Sequence, residues 1–302
     1  MANTFGLKTS EIAVICFTSA KNLHERALSV NNTWLKNFEK GYLVGGNFYA
    51  EDLKMICLGD HVGEDYFSAT PKQFYGLKAM TEKFPEAKWF FINGCDAWLD
   101  AANLTEALGS FDDSKDYFVG GNFARRSVKL QNGEDFPFYY PSGGSGFALS
   151  NSLAKKLASK TEFILEDLQK YELFAKGACD CSMAFYLLTL FNVKPSYVEG
   201  FYAVQPYQYP GDIYLNGDFK EVSEPVIEKP IAFHTLTIRE MYILNAGKMP
   251  KKPNFIDKFV DKTAKFLSRK LKTKHLVNEV LRPIYGRKSK ISKNKENKND
   301  HP

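Results

Sequence analysis

The chain has 302 residues, 44% apolar and 25% charged, which is globular usage and excludes a disordered or fibrous chain. No run approaches 18 apolar residues, so no transmembrane helix is expected, and Met1 to Ser10 holds no apolar signal core. Net charge is +5 but unevenly placed: Pro250 to Pro302 carries 16 Lys and Arg against 5 Asp and Glu, so a mildly acidic body precedes a strongly basic tail.

In chain order, Ile12 to Phe17 is a continuous apolar run, the pattern of a strand buried on both faces. Thr18 to Asn22 is a polar loop. His24 to Phe38 has Leu28, Leu35 and Phe38 at helical spacing and is predicted as one helix. Lys54 to Leu58 is a second strand, Lys72 to Phe84 a helix, and Trp89 to Ile92 a third strand running into Asn93-Gly94-Cys95-Asp96. Asn103 to Leu108 is a short helix and Tyr117 to Val119 a strand. This order predicts a mostly parallel sheet with helices on both faces. Further on, Ser150 to Lys160, Phe163 to Phe174 and Ser182 to Phe191 read as helices, and Val193 to Val198 as a strand. Gln205 to Asp218, full of Tyr, Pro and Gly, reads as loop, and Ile231 to His234 closes the compact part. The expected organisation is a body at 1–249, a basic amphipathic helical segment at 250–285 and a disordered basic tail at 286–302.

Cys16 and Cys57 lie in apolar runs and read as core residues, while Cys179 and Cys181 flank Asp180 with no second Cys/His pair at zinc spacing. Five cysteines without a framework point to a reducing, cytosolic setting. A Gly-x-Gly-x-x-Gly after the first strand and a P-loop are both missing, which argues against dinucleotide or ATP chemistry.

An acid at the carboxyl end of a buried strand, as Asp96 is, stands where open α/β sheets bind ligands. Four motifs then follow one another. They are Ile12 to Ser19 with His24-Glu25-Arg26 and Thr33-Trp34, then Trp89 to Leu99, then Phe138 to Ser150 with its Gly143-Gly144-Ser145-Gly146 core. The last is Cys179-Asp180-Cys181-Ser182-Met183-Ala184, followed by Phe233-His234. This ordered set resembles the Fringe-like β1,3-glycosyltransferases over roughly Glu11 to Thr235. The resemblance implies a GT-A-type fold, Rossmann-like with a mostly parallel sheet. It also implies a UDP-sugar donor and an inverting transfer to a glycan hydroxyl, with a β1,3 linkage.

By the same resemblance, Thr18, Ser19 and Arg26 hold the nucleotide, Arg26 because a guanidinium suits diphosphate oxygens. Asp60 contacts base or ribose, and Lys78 matches a family lysine. The family's Asp-Asp-Asp metal motif falls on Gly94-Cys95-Asp96, where only the third acid remains and Cys95 takes a donor-contact position. Asp96 and His234 are the implied ligands of a divalent cation, Mn²⁺ first and Mg²⁺ second. Gly143 and Gly144 let the backbone approach a sugar, and Asp180 is the implied catalytic base. Loss of two carboxylates keeps open a non-catalytic carbohydrate-binding descendant of the fold.

In the tail, Phe255, Ile256, Phe259, Val260, Ala264, Leu267 and Leu271 recur at helical spacing among lysines, a pattern suited to an anionic membrane surface. The tail lacks the interleaved aromatics of a nucleic-acid surface. The resulting expectation is a bacterial enzyme of surface polysaccharide or lipopolysaccharide synthesis. It would be peripheral at the inner face of the membrane and would act on a glycan or lipid-linked glycan.

Overall fold

The computed structural model describes residues 6–175, 177–207, 212–215, 218–221, 227–270 and 284–285. The first half runs β1 (Ile12–Phe17), α1 (Leu28–Asn32), β2 (Lys40–Gly45), β3 (Met55–Cys57), α2 (Ala69–Lys83), β4 (Trp89–Gly94), β5 (Trp98–Leu99) and α3 (Ala101–Leu108). It continues with β6 (Phe118–Gly120), β7 (Phe123–Lys129), β8 (Asp135–Pro141), β9 (Phe147–Ser150), α4 (Asn151–Ala158), α5 (Thr161–Asp167), α6 (Glu172–Ala175) and α7 (Cys179–Phe191). The remaining elements are β10 (Pro195–Tyr197), β11 (Phe201–Tyr202), β12 (Asp212–Leu215), β13 (Asp218–Glu221), β14 (Ala232–Phe233), α8 (Ile238–Asn245) and α9 (Phe255–Lys270).

Seven strands form the central sheet in the order β10-β6-β9-β4-β1-β2-β3. Among them β9 runs antiparallel to both of its neighbours, and the other pairings are parallel. The sheet has a core on each face. Ile12, Val14 and Cys16 of β1 point to one face, covered by the α1 region, α3 and α8; Ala13 and Ile15 point to the other, covered by α2, α4, α5 and α7. Alternation along a strand buried on both sides explains why β1 reads as unbroken apolar sequence. This is the mostly parallel α/β architecture, with helices on both faces, that the sequence predicts.

Several local expectations change. The single helix over His24 to Phe38 is three short pieces: a π-helical turn at Leu23–Ala27, α1, and a 3₁₀ turn at Leu35–Asn37. Ser29 and Thr33 hydroxyls donate to the Glu25 and Ser29 carbonyls at 2.6 Å each, and Thr33 leaves helical geometry at the end of α1. Such back-bonding competes with the regular ladder. The break turns Trp34 into the core, where its Nε1 donates to the Ala97 carbonyl at 2.9 Å. Strand β2 and the β7–β8 hairpin are additional elements. Asp212–Leu215 and Asp218–Glu221 pair as an antiparallel hairpin where loop is expected. Cys57 is exposed on the edge strand β3 rather than in the core, and its thiol donates to the Gly46 carbonyl. All five cysteines are free thiols. Among the described residues no helix is long and apolar enough to cross a membrane. Leu271 and the expected tail at 286–302 lie outside the described residues.

Candidate active site

The parallel strands β1 and β4 end side by side, with Phe17 opposite Gly94. Their carboxyl ends open into a cavity of about 850 Å³ lined by the loop after β1, the start of α2, the turn after β4, the glycine loop after β8 and the start of α7.

Asp96 lies in the turn between β4 and β5. The chain returns 133 residues after Leu99 as β14, which pairs antiparallel with β5, Phe233 opposite Trp98. Their rings stack at 6.1 Å, and the Leu236 amide donates to the Asp96 carbonyl at 2.9 Å. This small sheet brings the Asp96 carboxylate and the His234 imidazole together, Oδ1 to Nε2 at 3.3 Å. The other carboxylate oxygen meets Arg26 at 3.3 Å. Burial raises the Asp96 pKa, but the hydrogen bond and charge of His234 and the charge of Arg26 outweigh it, and the carboxyl is held below its usual range.

His234 Nδ1 lies 3.3 Å from the Ala203 carbonyl. A carbonyl only accepts, so Nδ1 carries the proton in that contact. In the neutral ring this leaves the Nε2 lone pair facing a carboxylate, an arrangement favourable only with a positive charge between or on the ring. Two ligands in adjacent positions on a cation with bonds of about 2.1–2.2 Å are separated by about 3 Å. The Asp96–His234 spacing fits that separation. Among the described residues no group of three or more His, Cys, Asp or Glu side chains gathers for a metal, so a cation held by this pair would need other oxygens to complete its shell. Cys95 adds no charge, since burial and the Asp96 carboxylate push its thiol up to about 11.

Asp180 faces the same cavity from the first turn of α7, which begins three residues before the expected Ser182. The Gly143 amide donates to Asp180 Oδ2 at 3.0 Å and the Cys181 amide to Oδ1 at 2.8 Å. Phe185, further along α7, packs among Phe136 and Phe138 of β8 and Tyr171 and Phe174, which fixes the helix against the hairpin. A Cβ on Gly143 would sit 2.4 Å from the Asp180 Cβ, and one on Gly144 2.0 Å from His234 Nδ1. Both glycines are therefore required by close approach.

Residues 7–235 match a family described as Fringe-like. The chain belongs to the Fringe-like family of glycosyltransferases. Three solved structures are among those it is similar to. One is a glycosyltransferase involved in the glycosylation of the major capsid of PBCV-1, at 10% identity and TM-score 0.33, covering 64% of this chain and 85% of that one. Another is the inositol-1-phosphate CTP transferase from T. maritima, at 14% and 0.28, covering 52% and 76%. The third is the UDP-glucose pyrophosphorylase from Leishmania major, at 10% and 0.27, covering 51% and 52%.

Set against the Fringe-like motifs, Thr18, Ser19, Arg26, Cys95, Asp96, Gly143, Gly144, Asp180 and His234 all line one cavity. Asp60 and Lys78 do not. Asp60 is exposed in the loop after β3, and Lys78 lies on the outer flank of α2 with its ammonium 2.6 Å from Glu162. On α2 the lysine that reaches the cavity is Lys72, six residues earlier. It is only 2% exposed and pairs at 3.3 Å with Glu64, which also accepts from the Gly46 and Ala20 amides. The helical phase was the available signal: Lys72 is four residues before Gly76, on the face that packs against Ile15 and Val44.

Proposed function

We propose that this Fringe-like chain is an inverting glycosyltransferase that moves a sugar from a UDP-sugar to a hydroxyl of a glycan acceptor. The observation that carries the reading is the meeting of Asp96, His234 and Asp180 in one cavity at the carboxyl ends of β1 and β4. Segments far apart in sequence, each with a separate chemical task, meet there.

In this reading Arg26 and Lys72 face the donor diphosphate, and Thr18 and Ser19 contribute hydroxyls to the nucleotide. Asp96 and His234 would hold a divalent cation, Mn²⁺ or Mg²⁺, which when bound stabilises charge on the departing diphosphate. Asp180 receives the acceptor proton. The acceptor oxygen bonds to the anomeric carbon on the face opposite the nucleotide, the bond from that carbon to the diphosphate oxygen breaks, and the proton passes to the carboxylate. Two backbone amides already orient Asp180, and a carboxylate's remaining lone pairs stay open to the acceptor. Gly143 and Gly144 remove bulk beside both residues. The β1,3 linkage and a bacterial surface polysaccharide or lipopolysaccharide acceptor, free or lipid-linked, complete the proposal; the first rests on the family likeness and the second on the basic C-terminal segment.

The test is UDP release from a panel of UDP-sugars with Mn²⁺ or Mg²⁺, alone and with acceptor glycans. Asp180→Asn is expected to lower transfer by about 10²–10⁴-fold with donor affinity unchanged. Chelation is expected to remove transfer and added Mn²⁺ to restore it. A variant that still transfers at the parent rate would remove Asp180 from the base role. One observation favours a second reading: Cys95, in the place of a family acid, stays a neutral thiol and weakens the anionic pole. A non-catalytic carbohydrate-binding protein would bind glycans and release no UDP above background.

A further inference from the structure

Helix α9 (Phe255–Lys270) sorts its side chains by charge in a way that its own fold does not need. Both of its acids point at the body. Asp257 and Asp261 face Arg239 of α8, each at 3.8 Å, and Arg239 is only 3% exposed. Tyr285 closes over this contact, with its ring 5.8 Å from the Arg239 guanidinium and its hydroxyl donating to Asp257 at 3.0 Å. Val260 packs with Ile238 and Tyr242 on the same side. The attachment therefore uses one side of the helix and all of its negative charge.

The opposite side is apolar and basic. Phe255 is 82% exposed, Ile256 69% and Phe259 61%, and Lys258 and Lys262 are exposed along their border. At 3.6 residues per turn Phe255 and Phe259 stand one above the other, with Lys258 and Lys262 alongside. The sequence continues the basic series with Lys265, Arg269 and Lys270, and residues 271–302 add nine Lys and Arg against three Asp and Glu. Among the described residues nothing covers Phe255, Ile256 or Phe259 to the extent of burying them.

We propose that this face of α9 is a docking surface for an anionic lipid bilayer, with Phe255, Ile256 and Phe259 entering the headgroup boundary and the lysines meeting lipid phosphates. Amphipathic helices with aromatic residues on one side and lysines beside them bind by burial and charge attraction together. Charge selects the lipid over a second copy of this chain. Two α9 faces set against each other would oppose lysine to lysine around few apolar side chains, far fewer residues than a stable interface uses. The inference is independent of the transfer chemistry, since no residue of the cavity takes part.

The test is sedimentation of the full chain with vesicles of phosphatidylglycerol and phosphatidylethanolamine, and with vesicles of phosphatidylcholine alone. Binding is expected to the first, at least tenfold weaker to the second, and weakened by added salt. Two double variants probe the two components: Phe255→Ser with Phe259→Ser, and Lys258→Glu with Lys262→Glu. Each is expected to weaken binding at least tenfold while the thermal midpoint and circular dichroism of the body stay at the parent values. Equal binding to both vesicle types, no binding to either, or parent-level binding by either variant overturns the proposal. So does a dimer in solution that the same variants dissolve, which would assign the face to a second copy.

Discussion

At the scale of the residue, the site depends on very short approaches that leave little room for change. Gly143 stands against the Cβ of Asp180, an atom tied to the α7 backbone and unable to swing away. Gly143→Ala is therefore expected to push the first turn of α7 outward and lower transfer by about 10²-fold, the usual cost of misplacing a reacting group by an ångström. A crystal structure or an activity assay of the folded variant checks this. Asp96 supplies a pH signature. Its carboxyl is held below the usual range by His234 and Arg26 against the opposing effect of burial. The unfolded chain therefore takes up the proton first as pH falls. The stabilisation is complete above about pH 4 and is lost as pH drops through the lower folded value. Thermal midpoints of the parent and Asp96→Asn are expected to differ most near neutrality and to converge in acid. A constant difference across that range would contradict the assignment.

At the scale of the element, legibility followed burial. Strands β1 and β4 lie in the middle of the sheet with both faces covered, so they show as continuous apolar runs in the sequence, and Asp96 could be located at the end of one. Strand β2, Lys40-Gly41-Tyr42-Leu43-Val44-Gly45, carries a lysine and two glycines and gives no such signal. Strand β7 holds exposed Arg125, Arg126 and Ser127, and its partner β8 pairs with it outside the main sheet. The run His24 to Phe38 looks helical by spacing because its apolar residues do reach the core, but hydroxyl-to-carbonyl bonds at Ser29 and Thr33 divide it. Trp34 anchors the break. Trp34→Phe keeps most of the buried ring and leaves the Ala97 carbonyl without its donor, so a loss of about 1–3 kcal/mol is expected in denaturant unfolding. On α2, the family resemblance pointed to Lys78, whereas only the helical phase distinguishes it from the buried Lys72.

At the scale of the whole molecule, the chain is a two-faced sheet whose cavity is built mostly by late returns: β14 to β5, and α7 to the glycine loop. The motifs meet because the loops after β1, β4 and β8, the start of α7 and His234 after β14 line one cavity. The attachment of α9 was not legible, since it depends on Arg239, an ordinary cation in a helix until Asp257 and Asp261 surround it. Arg239→Gln is expected to loosen α9 from α8 without disturbing the central sheet. Limited trypsin digestion checks this, with cleavage after the exposed Lys251 several-fold faster than in the parent while the larger fragment stays intact.

The two glycines after β8 have a consequence for how such a protein can change. One abuts the carboxylate at the head of α7 and the next abuts the imidazole beyond β14. Successive α-carbons are about 3.8 Å apart, so a single peptide unit acts as the gauge between the elements that carry Asp180 and His234. In the proposed transfer, the span between an anomeric centre and its incoming hydroxyl would thereby be set by covalent geometry. Retuning for a bulkier sugar must come from the rim, because the ruler itself cannot be lengthened.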